Sequence, residues 1–297
     1  MAESTQVVIA LDVGGSSVKS ALVTNIGQIV GDHLTTPIDS HGSAETIVAT
    51  FRQIITLHLN KPYHYLGLAI GFPAPFDYEQ GICRIDPSQK KYEGLYNVNV
   101  KTPLRTVYGG RELPIQFFND ADIAITGEAR YGVGQPYQRV IGLTLGTGLG
   151  AGFIANGFPL TTGQGVPPNG ELYPVLVGDV QADDVFSIRG LQGRFKAAGL
   201  PINDLKLASG AAASGDAVAK TVFAGFGSDL GIFLQPYVQA FGAEAVIILG
   251  GISGAFDHYG EAIQQALSVP VLAGRLGMEA ALLGAAALAM PRLQTAT

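Results

Sequence analysis

Asp12, Gly14, Gly15, Ser16 and Ser17 bring a carboxylate, two glycines and two hydroxyls together in one short stretch near the start of the chain. An apolar run over 7–11 leads into them and another leads away from Val18, so the stretch reads as a hairpin. Gly14 and Gly15 tolerate positive φ and the close approach of a ligand, so the amides about Ser16 and Ser17 are expected to form an anion-binding concavity. Asp12, at the strand end, is then placed to hold a hydrated Mg²⁺ opposite the same phosphates. An ordinary tight turn accounts equally well for this one segment. Lys19, on the return strand, reads either as a cation steering phosphate or as a solvated neighbour.

The second half repeats the device. RVIGLTLGTGLGAGFIANG, over 139–157, is again an apolar strand, a glycine turn and a return strand. Gly146, Thr147 and Gly148 offer amides and one hydroxyl, while Gly150 and Gly152 keep the neighbouring backbone bare. Farther on, the apolar strand that opens AVIILGGISGAF, over 245–256, is stopped by Gly250 and Gly251, bare backbone that could seat a flat base or sugar. Two phosphate-type hairpins predict two similar lobes.

The elements that must position these groups are α/β. Strands are expected over 7–12, 18–24 and 29–37, then a helix over 44–59 capped by Ser43, then a buried strand over 65–70. GFPAPFD, over 71–77, is irregular because Pro73 and Pro75 exclude ladder and helix alike. Loops of this kind at strand ends line ligand clefts, which puts Gly71 among the substrate-side candidates. The polar stretch 84–101 resists assignment, with 95–100 the part nearest a cleft. A helix follows over 120–131, a Gly- and Pro-rich loop over 163–170, and helices over 188–198 and 214–241, the last kinked at Pro236. Strands and helices then alternate to Met290.

With 297 residues, 47% of them hydrophobic and only 14% charged, the chain is large enough to divide its core. A net charge of −6 and the lack of any basic run exclude a nucleic-acid surface, so an anionic ligand must be held by local geometry. Cys83 is the single cysteine and reads as a reduced, partly buried side chain of a cytoplasmic protein. MAEST does not resemble a signal peptide, and the apolar stretch 278–290 is too short to span a bilayer, so no membrane partner is expected. An apolar surplus in the second half makes a homodimer the expectation for assembly.

Taken in order, these segments resemble the sugar-kinase branch of the actin, Hsp70 and hexokinase superfamily, and within it the ROK family of bacterial hexose kinases and sugar-responsive repressors. The first hairpin resembles that family's phosphate-1 motif, the second its phosphate-2 motif, and the strand before Gly250 and Gly251 its adenosine motif. IQFFNDADIAITGEARYGVG, over 115–134, resembles its Asn-Asp segment with the following Gly-Glu, and NGELYP, over 169–174, its sugar-binding Gly-Glu loop. The correspondences keep the family's order over nearly the whole chain. The resemblance implies a two-lobed actin-like ATPase (ribonuclease H-like) fold with a mixed sheet in each lobe. The first lobe would be 1–118, completed by a returning C-terminal helix at 277–297, and the second 119–276.

It also implies a hexose kinase taking its phosphoryl group from ATP or polyphosphate with Mg²⁺, glucose 6-OH being the first expected acceptor. Fructose, mannose or an N-acetyl amino sugar stay open. On residues alone Asp120 reads as a helix cap; under the resemblance it is the base that accepts the hydroxyl proton. Asn119 and Asp120 would contact hydroxyls nearest the reacting carbon, and Glu171 others on the ring. Glu128, farther along the same helix, is a weaker candidate that would face solvent or pair structurally, and Asn97 is weaker still. Gly132, Gly134 and Gly277 are candidate hinges. Many family members carry a His two residues after the sugar-binding Glu and a Cys cluster that together bind zinc. Tyr173 stands at that His position, no Cys follows and the five histidines lack ligand spacing, so no zinc site is expected. Asp122 stands where Asn is common. A sensor that binds sugar without turnover is the rival class. The family's repressors carry an N-terminal DNA-binding domain, and with the first hairpin so near Met1 none is expected here.

Overall fold

In the computed structural model, which describes residues 5–202 and 204–294, the chain divides into two compact units: Met1–Gly127 with Met278–Thr297, and Glu128–Gly277. The first crossing falls past the 118/119 junction expected from sequence, inside the helix that opens at Asp120.

Unit one begins with β1 (Gln6–Val13), β2 (Ser17–Thr24), β3 (Ile29–Pro37), α1 (Ala44–His58) and β4 (His64–Phe72). Two short hairpins follow, β5 (Phe76–Asp77) with β6 (Ile82–Cys83) and β7 (Thr106–Tyr108) with β8 (Arg111–Leu113), and then β9 (Ile115–Asn119) and α2 (Asp120–Tyr131). The sheet order is β3-β2-β1-β4-β9, antiparallel through the first hairpin and parallel from β1 to β9. Val7 to Leu11 are fully buried, as a strand covered on both faces must be. Val7, Ile9 and Leu11 share a cluster with Ile47, Phe51 and Ile54 of α1, whose start is capped by Ser43 accepting from the Thr46 amide. The stretch 84–101 has no strand or helix period because it is built of tight 3₁₀ turns at Pro87–Gln89 and Glu93–Leu95, yet Tyr92, Leu95 and Val100 are buried.

Unit two holds β10 (Arg139–Leu145), β11 (Leu149–Ala155), β12 (Phe158–Leu160), a small hairpin of β13 (Leu176–Val177) and β14 (Val180–Gln181), α3 (Ala182–Phe186), α4 (Ile188–Ala197), α5 (Leu205–Ala213), α6 (Ala217–Phe241), β15 (Ala245–Leu249), α7 (Gly260–Ala266) and β16 (Val271–Ala273). Its sheet, β12-β11-β10-β15-β16, repeats the first topology, with an antiparallel hairpin leading into parallel strands. The single helix expected over 214–241 instead starts at Ala217, because Asp216 caps it by accepting from the Ala219 amide. Pro236 lies inside it. This long apolar helix is a core element: Phe223, Phe226, Leu230 and Leu234 are buried in the cluster that fills the unit.

The last described element is α8 (Glu279–Gln294), which rejoins unit one against β1, β2 and β4. Its small residues permit close packing. A Cβ at Gly284 would stand 1.8 Å from the Ile123 carbonyl oxygen, and one at Gly127 would stand 1.9 Å from that of Ala280. Both sheets are mixed, and the whole is α/β.

One buried pair in unit one sets a pH dependence. His58, at the end of α1, shares a 2.8 Å hydrogen bond with the Ser20 hydroxyl, and burial, then the nearby Lys61 charge, lowers its pKa from 6.5 to about 4. The fold therefore favours neutral His58, and this stabilisation is full above pH 6.5 and lost as pH falls through 4. The full shift corresponds to about 3 kcal/mol. Denaturant melts between pH 7 and 4 should show wild type losing more stability than His58→Gln; equal slopes would refute the assignment.

Candidate functional site

In unit one the parallel strands β1, β4 and β9 stop together. Asp12 lies beside Gly71, and Phe72 beside Asn119. Carboxyl ends of such strands are where α/β folds gather ligands. The β1–β2 turn is held by the Gly14 amide donating to the Ser17 carbonyl at 3.0 Å, and the Ser16 carbonyl accepts from Ile38. The buried Tyr92 donates its hydroxyl to the Gly14 carbonyl, and burial raises its pKa further, so it stays a donor. Gly14 and Gly15 tolerate positive φ, but neither adopts it. The need for glycine is spatial: a Cβ at Gly14 would lie 3.1 Å from the Ser17 carbonyl, whereas one at Gly15 would meet nothing within 4 Å. Gly15 thus leaves open room above an exposed turn.

Lys19 neither floats in solvent nor stands free for phosphate. It pairs with Asp12 at 3.0 Å, with side-chain exposures of 29% and 14%. Hairpin arithmetic explains this, since Asp12 and Lys19 are direct cross-strand partners. Asp12 keeps its second carboxylate oxygen for other work, and a hard oxygen ligand of this kind suits a Mg²⁺ that retains its waters and leans on substrate phosphates.

Asn119 and Asp120 divide two roles. The Asn119 side-chain oxygen accepts from the Ala121 amide at 2.9 Å and the Asp122 amide at 3.1 Å, so Asn119 caps α2. Its NH₂ donates to Tyr78 at 3.1 Å, whose hydroxyl donates to the Phe72 carbonyl at 3.1 Å. Asp120 is relieved of the cap; its Oδ1 accepts from the Ala121 amide at 2.9 Å, and its own backbone amide also hydrogen-bonds the carboxylate. Burial first, and then the charge of Asp12, raises its pKa above the usual carboxylate value, while the Ala121 amide and Lys91 oppose the shift. A raised carboxylate at a strand end is suited to accept a proton. Tyr78 and Tyr92 were missed from sequence, because the turns that carry them have no periodic signal.

Gly71 and Glu128 both make structural contacts. Gly71 is buried, and a Cβ there would lie 2.0 Å from Ile123, so its glycine lets α2 pack on β4. Of the two places expected for Glu128, the structure shows the structural one: it is fully buried, accepting from the Val133 amide at 3.1 Å and the Leu276 amide at 2.6 Å. Gly132, named as a hinge, is the space Glu128 needs: a Cβ there would lie 1.8 Å from the carboxylate. Asn97, at φ 59°, accepts from Arg84 on the surface.

In unit two the turn Gly146–Thr147–Gly148 also lacks positive φ. The Gly146 amide donates to the Gly148 carbonyl at 3.0 Å, and the Ile188 amide at the head of α4 donates to the Gly146 carbonyl at 2.8 Å. The end of β15 lies alongside. A Cβ at Gly146 would stand 4.0 Å from the Gly251 nitrogen, and one at Gly251 would meet nothing within 4 Å. Gly250, at φ 88° and ψ −177°, needs glycine for the chain itself, since a Cβ would lie 2.4 Å from the Leu145 carbonyl oxygen. Glu171 follows a 3₁₀ turn, and burial raises its pKa against a hydrogen bond from Asn169. Tyr173 is exposed, and the charges of Glu171 and Asp183 add to burial in raising its hydroxyl pKa. Among the described residues no three His, Cys, Asp or Glu side chains gather as a metal site.

The family described as the ROK family matches residues 8–173. The chain is 28% identical over 269 residues to a glucokinase of Thermotoga maritima, covering 83% of this chain and 82% of that one. It is 27% identical over 176 residues to a polyphosphate glucokinase of Mycobacterium tuberculosis, covering 59% of this chain and 60% of the relative. Its structure superposes on a ROK family glucokinase from Streptomyces griseus, solved in complex with glucose and AMPPNP, with a TM-score of 0.75 and 25% identity over 96% of this chain and 99% of that one.

Proposed function

The chain belongs to the ROK family, with the fold of the actin-like ATPases, and from that membership we propose a sugar kinase that transfers a phosphoryl group from ATP or polyphosphate to a hexose, glucose at its 6-hydroxyl. The observation that carries the reading is the division of labour at the end of β9: Asn119 caps the helix, and Asp120 is left as a carboxylate of raised basicity beside a glycine turn. Asp120 takes the proton of the attacking hydroxyl as its oxygen bonds to the terminal phosphorus, and the bond to the leaving phosphate oxygen breaks with its electron pair. Asn119 presents its NH₂, already oriented by Tyr78, and Glu171 is assigned to ring hydroxyls as an acceptor. The amides around Gly14–Ser17 and Gly146–Gly148 are assigned to donor phosphates, and the bare backbone at Gly251 to the face of the base.

Mg²⁺, when bound with the donor, screens the charge of the phosphoryl group, and Asp12 is the residue that would hold it through water. Lys19 balances Asp12 and so keeps the neighbouring carboxylates Asp12 and Asp120 from accumulating uncompensated charge. Steady-state assays of the purified protein with glucose, mannose, fructose and N-acetyl amino sugars, run with MgATP and with polyphosphate, should show turnover with glucose foremost. Absence of turnover across the panel, with calorimetric sugar binding intact, would replace the kinase with a sugar sensor.

A further inference from the structure

The turn Gly146–Gly148 is held from both sides by one ion pair that neither its own hairpin nor the glycine pattern explains. Asp183, in α3, accepts from the Leu149 amide at 2.6 Å through Oδ1 and from Arg189 at 2.6 Å through Oδ2. Arg189, in the first turn of α4, donates through its other terminal nitrogen to the Thr147 carbonyl at 2.9 Å and braces itself on Asp184 at 3.1 Å. The residue after the turn and the residue at its tip are therefore fixed by the two ends of a single charge-assisted chain. Gly148 keeps that chain close, since a Cβ there would lie 2.9 Å from Asp183 Oδ1. The same Asp183 donates its amide to the Tyr173 carbonyl at 3.2 Å, two residues beyond Glu171, and the Tyr173 hydroxyl feels the charges of both Glu171 and Asp183.

We infer that Asp183 and Arg189 are positioning residues that set the donor-phosphate turn and couple it, within unit two, to the Glu171 loop, so that a bound donor and a bound sugar strengthen each other. The inference rests on the kinase reading for the identity of the two ligands. A guanidinium fork that bridges a backbone carbonyl and two carboxylates tolerates little displacement, so a shift of the Glu171 loop is passed to Thr147 and Leu149 without relying on the rest of the sheet. Coupling of this kind is reciprocal and is read as a ratio of affinities.

The test is calorimetric glucose binding with and without saturating AMPPNP, together with steady-state kinetics, for wild type, Arg189→Ala, Arg189→Lys and Asp183→Asn. In wild type, AMPPNP should tighten glucose binding about fivefold or more. In Arg189→Ala and Asp183→Asn the ratio should fall to near one and the donor KM should rise about tenfold, with glucose affinity in the absence of nucleotide within twofold. Arg189→Lys, which keeps the charge but has one nitrogen where the guanidinium fork has two, should recover part of the donor KM. A merely structural loss would lower the melting temperature and leave the ratio unchanged. A ratio near one in wild type, or a ratio and donor KM untouched in Arg189→Ala, overturns the coupling. Failure of the kinase reading is seen separately, as absence of turnover in a wild type that still binds both ligands.

Discussion

Asp120→Asn should lower kcat for hexose phosphorylation about a thousandfold, with glucose affinity held within a fewfold. General-base contributions of about 10²–10⁴ set that scale. The substitution is chosen because the structure separates chemistry from architecture at this position. The α2 cap belongs to Asn119, whose side-chain oxygen holds the amides of Ala121 and Asp122, so exchanging Asp120 leaves the helix start intact. The amide oxygen of an asparagine can still accept from the Ala121 amide, as Asp120 Oδ1 does now. What the variant cannot do is take up a proton. A pH profile adds a second readout. Burial and the charge of Asp12 raise the Asp120 pKa, so kcat/KM should fall on the acid side at a pH above the ordinary carboxylate range, and that limb should vanish from the residual activity of the variant. Activity of Asp120→Asn within tenfold of wild type would remove Asp120 from the chemistry.

The elements that proved easiest to read were those in which an apolar run is stopped by glycine. Both hairpins and the β15 turn follow that rule, since a buried strand needs continuous apolar residues and a bare turn needs none. Asn119 and Asp120 were legible for a similar reason, as polar residues at a sharp change from strand to helix period. The residues that support the site were not legible. Tyr92 reaches Gly14 from a 3₁₀ stretch far along the chain, and Asp183 reaches Leu149 from another element, so neither contact leaves a period or spacing in the sequence. The Asp12–Lys19 pair could have been found, because a two-strand register follows from the turn. The freedom of Gly14 and Gly15 to take positive φ goes unused; the turn closes in ordinary backbone and spends the missing side chains on space.

That distinction yields the second large effect, a contrast between two kinds of glycine. Gly250→Ala should destabilise the fold by about 3 kcal/mol or more, because its φ of 88° with ψ −177° is open essentially to glycine alone and its Cβ would press 2.4 Å from the Leu145 carbonyl. For a chain of this size the melting temperature should drop by roughly 10 °C. Gly15→Val should behave in the opposite way. Its backbone has no positive φ and its Cβ would meet nothing within 4 Å, so stability should stay within about 0.5 kcal/mol of wild type. The branched side chain would nonetheless fill the room above the turn where donor phosphate is assigned, and donor kcat/KM should fall by roughly a hundredfold, the scale of one lost or blocked phosphate-binding donor. Thermal melts and donor titrations on the two variants decide the matter together. A stable Gly15→Val that retains wild-type donor kinetics would mean that the open space over the first hairpin is not where the polyanion sits, and the phosphate assignment would pass to the Gly146–Gly148 turn alone.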